Sequence, residues 1–221
     1  MKWCKKCILP DTRPNLKLNE KGICNACLSG SSEYKDNIDW GKRLDSFKNL
    51  ISSLNRGSEW DCVIPVSGGK DSTWQVVKTL EYGLKPLCVT WKTPARNSLG
   101  QKNLENLISL GVDHIDFSIN PKAECIFTRN AFLEKGIPLI PMHLAIYNIP
   151  IRIASSLKIP LVIYGENSAV EYGGNKKYHS YKINSEWIRK FGVNDGTIAE
   201  DWISSELSKK DLVPYSSNFS T

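Results

Sequence analysis

The sequence has no apolar run approaching the ~18 residues that a membrane-spanning helix needs, so no such span is expected. It opens Met1-Lys2-Trp3-Cys4 without an apolar leader, and a cytoplasmic address is the expectation. It has no long block of lysines or arginines, although the net charge is +6. Extended tracking along nucleic acid therefore has no specific support. The charge suits a mildly basic surface as well as attraction to a nucleotide, a nucleotide-sugar or RNA. Internal repeats and low-complexity segments are also missing. The 221 residues, 41% hydrophobic and 24% charged, suit one α/β domain with a small appendage.

Cysteine is plentiful and unevenly placed. Four of the seven, Cys4, Cys7, Cys24 and Cys27, fall within the first 27 residues. They form two CxxC pairs in a stretch with little core-forming material. In a reducing compartment such pairs favour metal ligation over disulfides. Two pairs close a four-sulfur shell with no open position for water, which suits a structural zinc. An iron–sulfur cluster and disulfides are the other readings. Cys62, Cys88 and Cys125 read as small buried hydrophobes, with a catalytic persulfide on one of them left open.

The chain divides into residues 1–30, a zinc-knuckle segment, 31–60, a helical linker, and 61–221, the main domain. The linker carries Trp40, Leu44, Phe47, Leu50, Ile51 and Leu54 at helical spacing. From Cys62 the rhythm becomes strand, helix, strand, helix. Strands are expected at 62–66, 86–91, 114–119 and 160–164. Helices are expected at 72–82, 99–110, 122–134, 144–157 (interrupted or kinked at Pro150), 186–191 and 198–207. Pro214 to Thr221 reads as a frayed tail. Short alternating units imply a parallel sheet, whose ligands bind beyond the carboxyl ends of the strands. Both the glycine loop after the first strand and Gly165-Glu166-Asn167 after the fourth would lie at that edge.

Ser67-Gly68-Gly69-Lys70-Asp71-Ser72 joins the first strand to its helix. Gly68 and Gly69 allow backbone N–H groups to approach an anion closely. The helix presents its positive end, Ser67 and Ser72 offer hydroxyls, and Lys70 adds a charge. Asp71 would repel phosphate directly, so its carboxylate implies an intervening Mg²⁺. The pattern is not the GxxxxGK[ST] loop. The plainer alternative is a strand-to-helix turn where glycine only relieves crowding. Glu166 suits Mg²⁺ binding or a base toward an amine, or simple helix capping. His143, Asn167, Glu171 and Tyr172 are weaker candidates for substrate contact, and His143 also reads as structural.

The loop resembles the PP-loop of the ATP pyrophosphatase superfamily. That resemblance implies an adenine nucleotide alpha hydrolase-like, Rossmann-like fold. It also implies that Ser67 to Ser72 holds the pyrophosphate end of ATP, and that Thr90 and Trp91, with Gly165, lie at the nucleotide. Lys70, Asp71 and Glu166 become the catalytic candidates. Cys4-Lys5-Lys6-Cys7-Ile8-Leu9-Pro10-Asp11-Thr12, Gly22-Ile23-Cys24-Asn25-Ala26-Cys27, Thr90-Trp91 and Ile163-Tyr164-Gly165-Glu166-Asn167, with Glu171-Tyr172-Gly173-Gly174, resemble the N-acetyl sugar amidotransferase family of surface-polysaccharide and flagellar-sugar biosynthesis. This implies ATP, Mg²⁺ and structural Zn²⁺ as cofactors. It implies a nucleotide-sugar substrate whose acetamido group becomes acetamidino, and ammonia from a partner glutaminase through a cyclase-like subunit. Family members are longer, so a C-terminal part is expected to be absent here. A tRNA-thiolating PP-loop enzyme and a non-catalytic ATP-binding subunit are the alternatives.

Overall fold

The computed structural model describes residues 1–12, 16–29, 38–54, 57–168 and 183–217. The chain divides into two compact units. One comprises Met1–Ser53 with Glu166–Ile183, and the other Leu54–Gly165 with Asn184–Thr221.

In the first unit, short antiparallel bridges join Trp3 to Pro10 and Leu18 to Cys24. The buried Cys4, Leu16 and Cys24 pack with Leu9, Leu18, Ile23, Ala26 and Cys27. A core this small cannot hold a fold by apolar burial alone. Helix α1 (Asn25–Ser29) carries the last cysteine. Helix α2 (Trp40–Ser52) begins at Asp39, whose carboxylate accepts from the Lys42 N–H at 2.8 Å. This is a side-chain N-cap.

The second unit is built on a parallel sheet. Strands β1 (Cys62–Pro65), β2 (Pro86–Trp91) and β3 (Asp113–Phe117) lie in the order β1-β2-β3. Pro65 sits opposite Val89, and Thr90 opposite Asp116. Helix α3 (Lys70–Glu81) connects the first pair and α4 (Ser98–Ile108) the second. Then follow α5 (Pro121–Lys135), α6 (Ile140–Ser156) and α7 (Ser185–Phe191). Gly136 closes α5 at φ 69°, as a left-handed C-terminal glycine does.

Strands β1 and β2 are buried and largely apolar, as strands covered on both faces are, whereas β3, with Asp113, His114 and Asp116, is exposed or half-buried along its length. Val63, Ile64, Leu87, Cys88 and Val89 are buried with Leu104, Phe127, Ile140, Leu144 and Ile149. Among the described residues no helix is long and apolar enough to cross a membrane.

Several expectations change. The fourth strand shrinks to one parallel bridge between Val162 and Val63. It is held by Val63 N–H to Leu161 O and Ile163 N–H to Val63 O, at 2.8 and 2.9 Å. The helix containing Pro150 runs unbroken over Ile140–Ser156, with Pro150 buried. Tertiary packing there outweighs the one backbone bond that proline removes. The helix expected over 198–207 is a single 3₁₀ turn, Ala199–Trp202. Asp201 accepts from the Ile198 N–H and Ser204 from the Leu207 N–H, so local side-chain acceptors displace the helical ladder.

The expected frayed tail is docked at its start. Tyr215 is buried, its carbonyl accepts from Asn148 Nδ2 at 2.8 Å, and its ring meets Phe127 edge-on at 5.0 Å. Cys125 is exposed, contrary to the buried expectation. The inward face of α5 is made by Ala123, Glu124, Phe127 and Ala131, and Cys125 points away from it at 100° per residue.

Candidate active site and metal centre

The four clustered cysteines converge. Their sulfurs all lie within 4.8 Å of one another. Cys4 Sγ is 3.9 Å from Cys27 Sγ, and Cys7 Sγ is 3.5 Å from Cys24 Sγ. A tetrahedral ion with Zn–S bonds of about 2.3 Å places its sulfurs about 3.8 Å apart, so the spacing fits. Backbone N–H groups also point at the sulfurs: Lys6 and Cys24 at Cys4, and Cys27 at Cys24, at 3.2–3.4 Å. Burial would raise the Cys4 thiol, but backbone N–H groups of Cys7, Cys24 and Lys6 bring it down to about 6. Burial and the neighbouring thiols push Cys27 up to about 12. One cation can hold all four as thiolates only if it ligates them, which is what a structural ion supplies. The cluster suggests a zinc site.

The glycine loop leaves the carboxyl end of β1. Gly68 has φ +79°, and a Cβ there would meet the backbone of Leu104 at 2.7 Å and of Asn103 at 3.0 Å. Glycine is required twice over, for the left-handed conformation and for the approach to α4. Gly69 caps α3 without a side-chain bond. The Gly69 carbonyl accepts the Thr73 N–H at 3.0 Å and the Ser72 and Thr73 hydroxyls, each at 3.0 Å. The N–H groups of Lys70, Asp71 and Ser72 fall in the first turn of α3, before its backbone ladder begins, which is where a helix can bind an anion. Lys70 Nζ and Asp71 Oδ1 pair at 2.6 Å, with side-chain exposures of 88% and 82%.

Around it, Thr90 is buried at the end of β2 and donates to the Val66 carbonyl at 2.8 Å. Trp91 faces the opposite side of the sheet, and its indole N–H donates to Glu124 at 3.0 Å. Burial raises the Glu124 carboxyl above its ordinary range, against the Trp91 bond. A Cβ on Gly165 would meet the Gln75 side chain at 2.7 Å, so Gly165 lies against α3. Ser67 to Ser72, Thr90 and Gly165 are thus brought to one end of this unit. His143 lies in the first turn of α6, its pKa lowered by burial. Glu166 is exposed and, with Asn167, belongs to the first unit. Glu171 and Tyr172 lie outside the described residues.

Some residues at this edge were not singled out from sequence. His114 Nε2 lies 2.9 Å from Thr90 Oγ1. Arg96 grips Asp116 with two bonds, at 2.6 and 2.7 Å. That bond holds the Asp116 carboxyl below its ordinary range. His114 and Asp116, two apart on β3, share the face of Thr90. This period was the available signal. Burial lowers the His114 pKa.

No protein-family profile and no curated protein matches the chain. Among solved structures, it is similar to the NMN synthetase of Francisella tularensis, at 20% identity over 58% of this chain and 55% of that one, with a TM-score of 0.42. It is similar to the NH3-dependent NAD synthetase of Campylobacter jejuni, at 18% identity over 60% and 58%, with a TM-score of 0.45. It is also similar to a predicted tRNA methyltransferase subunit of Methanocaldococcus jannaschii, at 17% identity over 70% and 72%, with a TM-score of 0.40. The chain spans just over half the length of the two synthetases. These likenesses are partial, and the chemistry proposed for this chain rests on its own residues.

Proposed function

We propose that the chain binds ATP at Ser67 to Ser72 and splits it to AMP and pyrophosphate to activate an amide oxygen. The observation that carries this reading is the loop itself. Gly68 is seated against the α4 backbone, and α3 begins at Gly69 without a side-chain cap, which leaves the N–H groups of its first turn for an anion. Such a cradle suits the pyrophosphate end of a nucleotide. Lys70 adds a positive charge, and Asp71 offers the oxygen ligand that Mg²⁺ requires. The ion, when bound, neutralises charge on the leaving pyrophosphate.

The finer reading is amide-to-amidine exchange on an acetamido sugar. The amide oxygen attacks the α-phosphorus and pyrophosphate leaves. Ammonia then adds to the activated carbon, and the oxygen departs within AMP. The amidine retains a proton as a cation. Glu166 is the proposed base that takes the proton which attacking ammonia sheds. A partner glutaminase and a cyclase-like subunit would supply the ammonia, and a structural zinc would hold the cysteine knuckles.

Two buried thiols favour this over tRNA thiolation. Burial pushes Cys62 and Cys88 each up to about 12. A sulfur-transfer nucleophile needs the opposite, a lowered and accessible thiol. The test is pyrophosphate release with ammonia and a panel of nucleotide-linked acetamido sugars. Turnover that requires both supports the reading. Sulfur incorporation into tRNA without sugar-dependent turnover would overturn it.

A further inference from the structure

Two groups outside the loop motif act on its first peptide. Val66 is the last residue before the loop. Its N–H still bonds to Val89 O at 2.9 Å, but its carbonyl takes the Thr90 hydroxyl at 2.8 Å. Thr90 Oγ1 in turn lies 2.9 Å from His114 Nε2. A threonine hydroxyl has one proton to give. That proton goes to the carbonyl, which only accepts. The second contact therefore needs its proton from the ring, and neutral His114 is the Nε2–H tautomer. Thr90 is only 6% exposed, so this chain of bonds is sheltered from competing water.

The Val66 carbonyl and the Ser67 N–H belong to one planar peptide and point to opposite sides of it. Holding the carbonyl therefore aims the N–H. Ser67 N–H is directed toward Ser72 Oγ at 3.4 Å, and Ser67 Oγ in turn meets the Gly69 N–H at 3.4 Å. The loop is thus oriented from its first peptide onward.

The geometry points to Thr90 and His114 as positioning residues for the phosphate loop: they fix the plane of the Val66–Ser67 peptide and through it the direction of the loop's donors. Thr90 then serves the nucleotide through the loop, its hydroxyl proton being committed to Val66. The inference rests on the ATP-binding reading and deepens it.

Thr90→Val keeps the side-chain shape but removes the hydroxyl, and it leaves the His114 N–H unpaired. Thr90→Ser keeps the hydroxyl. Magnesium-ATP affinity, measured by calorimetry on the full chain, should fall about tenfold in T90V, the scale of one lost buried hydrogen bond. It should remain near wild type in T90S. The Ser67 amide resonance should move in T90V and stay in T90S. Nitrogen-15 spectra of the wild-type imidazoles should show His114 with its proton on Nε2, without any nucleotide present. Wild-type affinity in T90V, or a proton on Nδ1, would overturn the inference. Wild-type protein that binds no magnesium-ATP would sink the ATP reading instead, and the tautomer and the Ser67 resonance would still decide the geometry. If T90V does not fold, the tautomer alone decides.

Discussion

The Cβ that Gly68 lacks would sit 2.7 Å from the backbone nitrogen of Leu104. The glycine loop is therefore braced by the helix that follows the next strand. Backbone on one side and φ +79° on the other leave no conformation for a larger residue. Gly68→Ala should destabilise the protein by at least about 2 kcal/mol, since a left-handed alanine alone costs roughly 1–2. It should also weaken ATP binding. Denaturant midpoints with calorimetry check both, and an unchanged midpoint would show that the loop is not seated on α4.

The exposed Lys70–Asp71 pair predicts a different pattern. Both side chains are open to solvent, so alanine at either should change stability by no more than about 0.5 kcal/mol. Lys70→Ala should weaken ATP binding. Asp71→Ala should reduce turnover while leaving metal bound at the cysteines. Unchanged pyrophosphate release in both variants would remove the loop from the chemistry.

Metal removal addresses the knuckles. One equivalent of zinc should accompany the purified protein. Stripping it should raise amide exchange across residues 1–29, because their apolar core is only a few side chains. Cys24→Ser should do the same. Less than about half an equivalent of zinc, measured by elemental analysis, contradicts the assignment, and iron with labile sulfide would reassign it to a cluster.

The Arg96–Asp116 pair predicts a pH dependence. The guanidinium side chain is 10% exposed and the carboxylate 30%. Arg96 depresses the folded-state pKa of Asp116. A depressed acid stabilises the fold fully above its unfolded value, about 3.9. That contribution is lost as pH falls through the lower folded value. Asp116→Asn should therefore be less stable than wild type at neutral pH, and the gap should close only in acid below the ordinary aspartate range. Chemical denaturation at several pH values measures it. A gap that is constant with pH would mean the pair contributes by shape and not by charge.

How much of this was readable in advance divides along sequence distance. The loop, the knuckles and most helix limits rest on local signals, such as Gly136 ending α5. The Thr90–His114 contact joins residues 24 apart, and Arg96–Asp116 joins residues 20 apart. Such pairs depend on strand register, which periodicity does not specify. A proline-bearing terminus looks loose in sequence, and only the buried Asn148, 67 residues away, holds Tyr215 in place. The apolar run at 160–164 shows β-propensity but not how many rungs it forms.

The most direct test of the central claim follows one oxygen atom. An acetamido sugar labelled with oxygen-18 in its amide would be incubated with the protein, magnesium-ATP and ammonia, and the products weighed by mass spectrometry. The account predicts that the label appears in AMP, alongside unlabelled pyrophosphate and an amidine product. Label retained in the sugar, or ADP and phosphate in place of AMP and pyrophosphate, would contradict it.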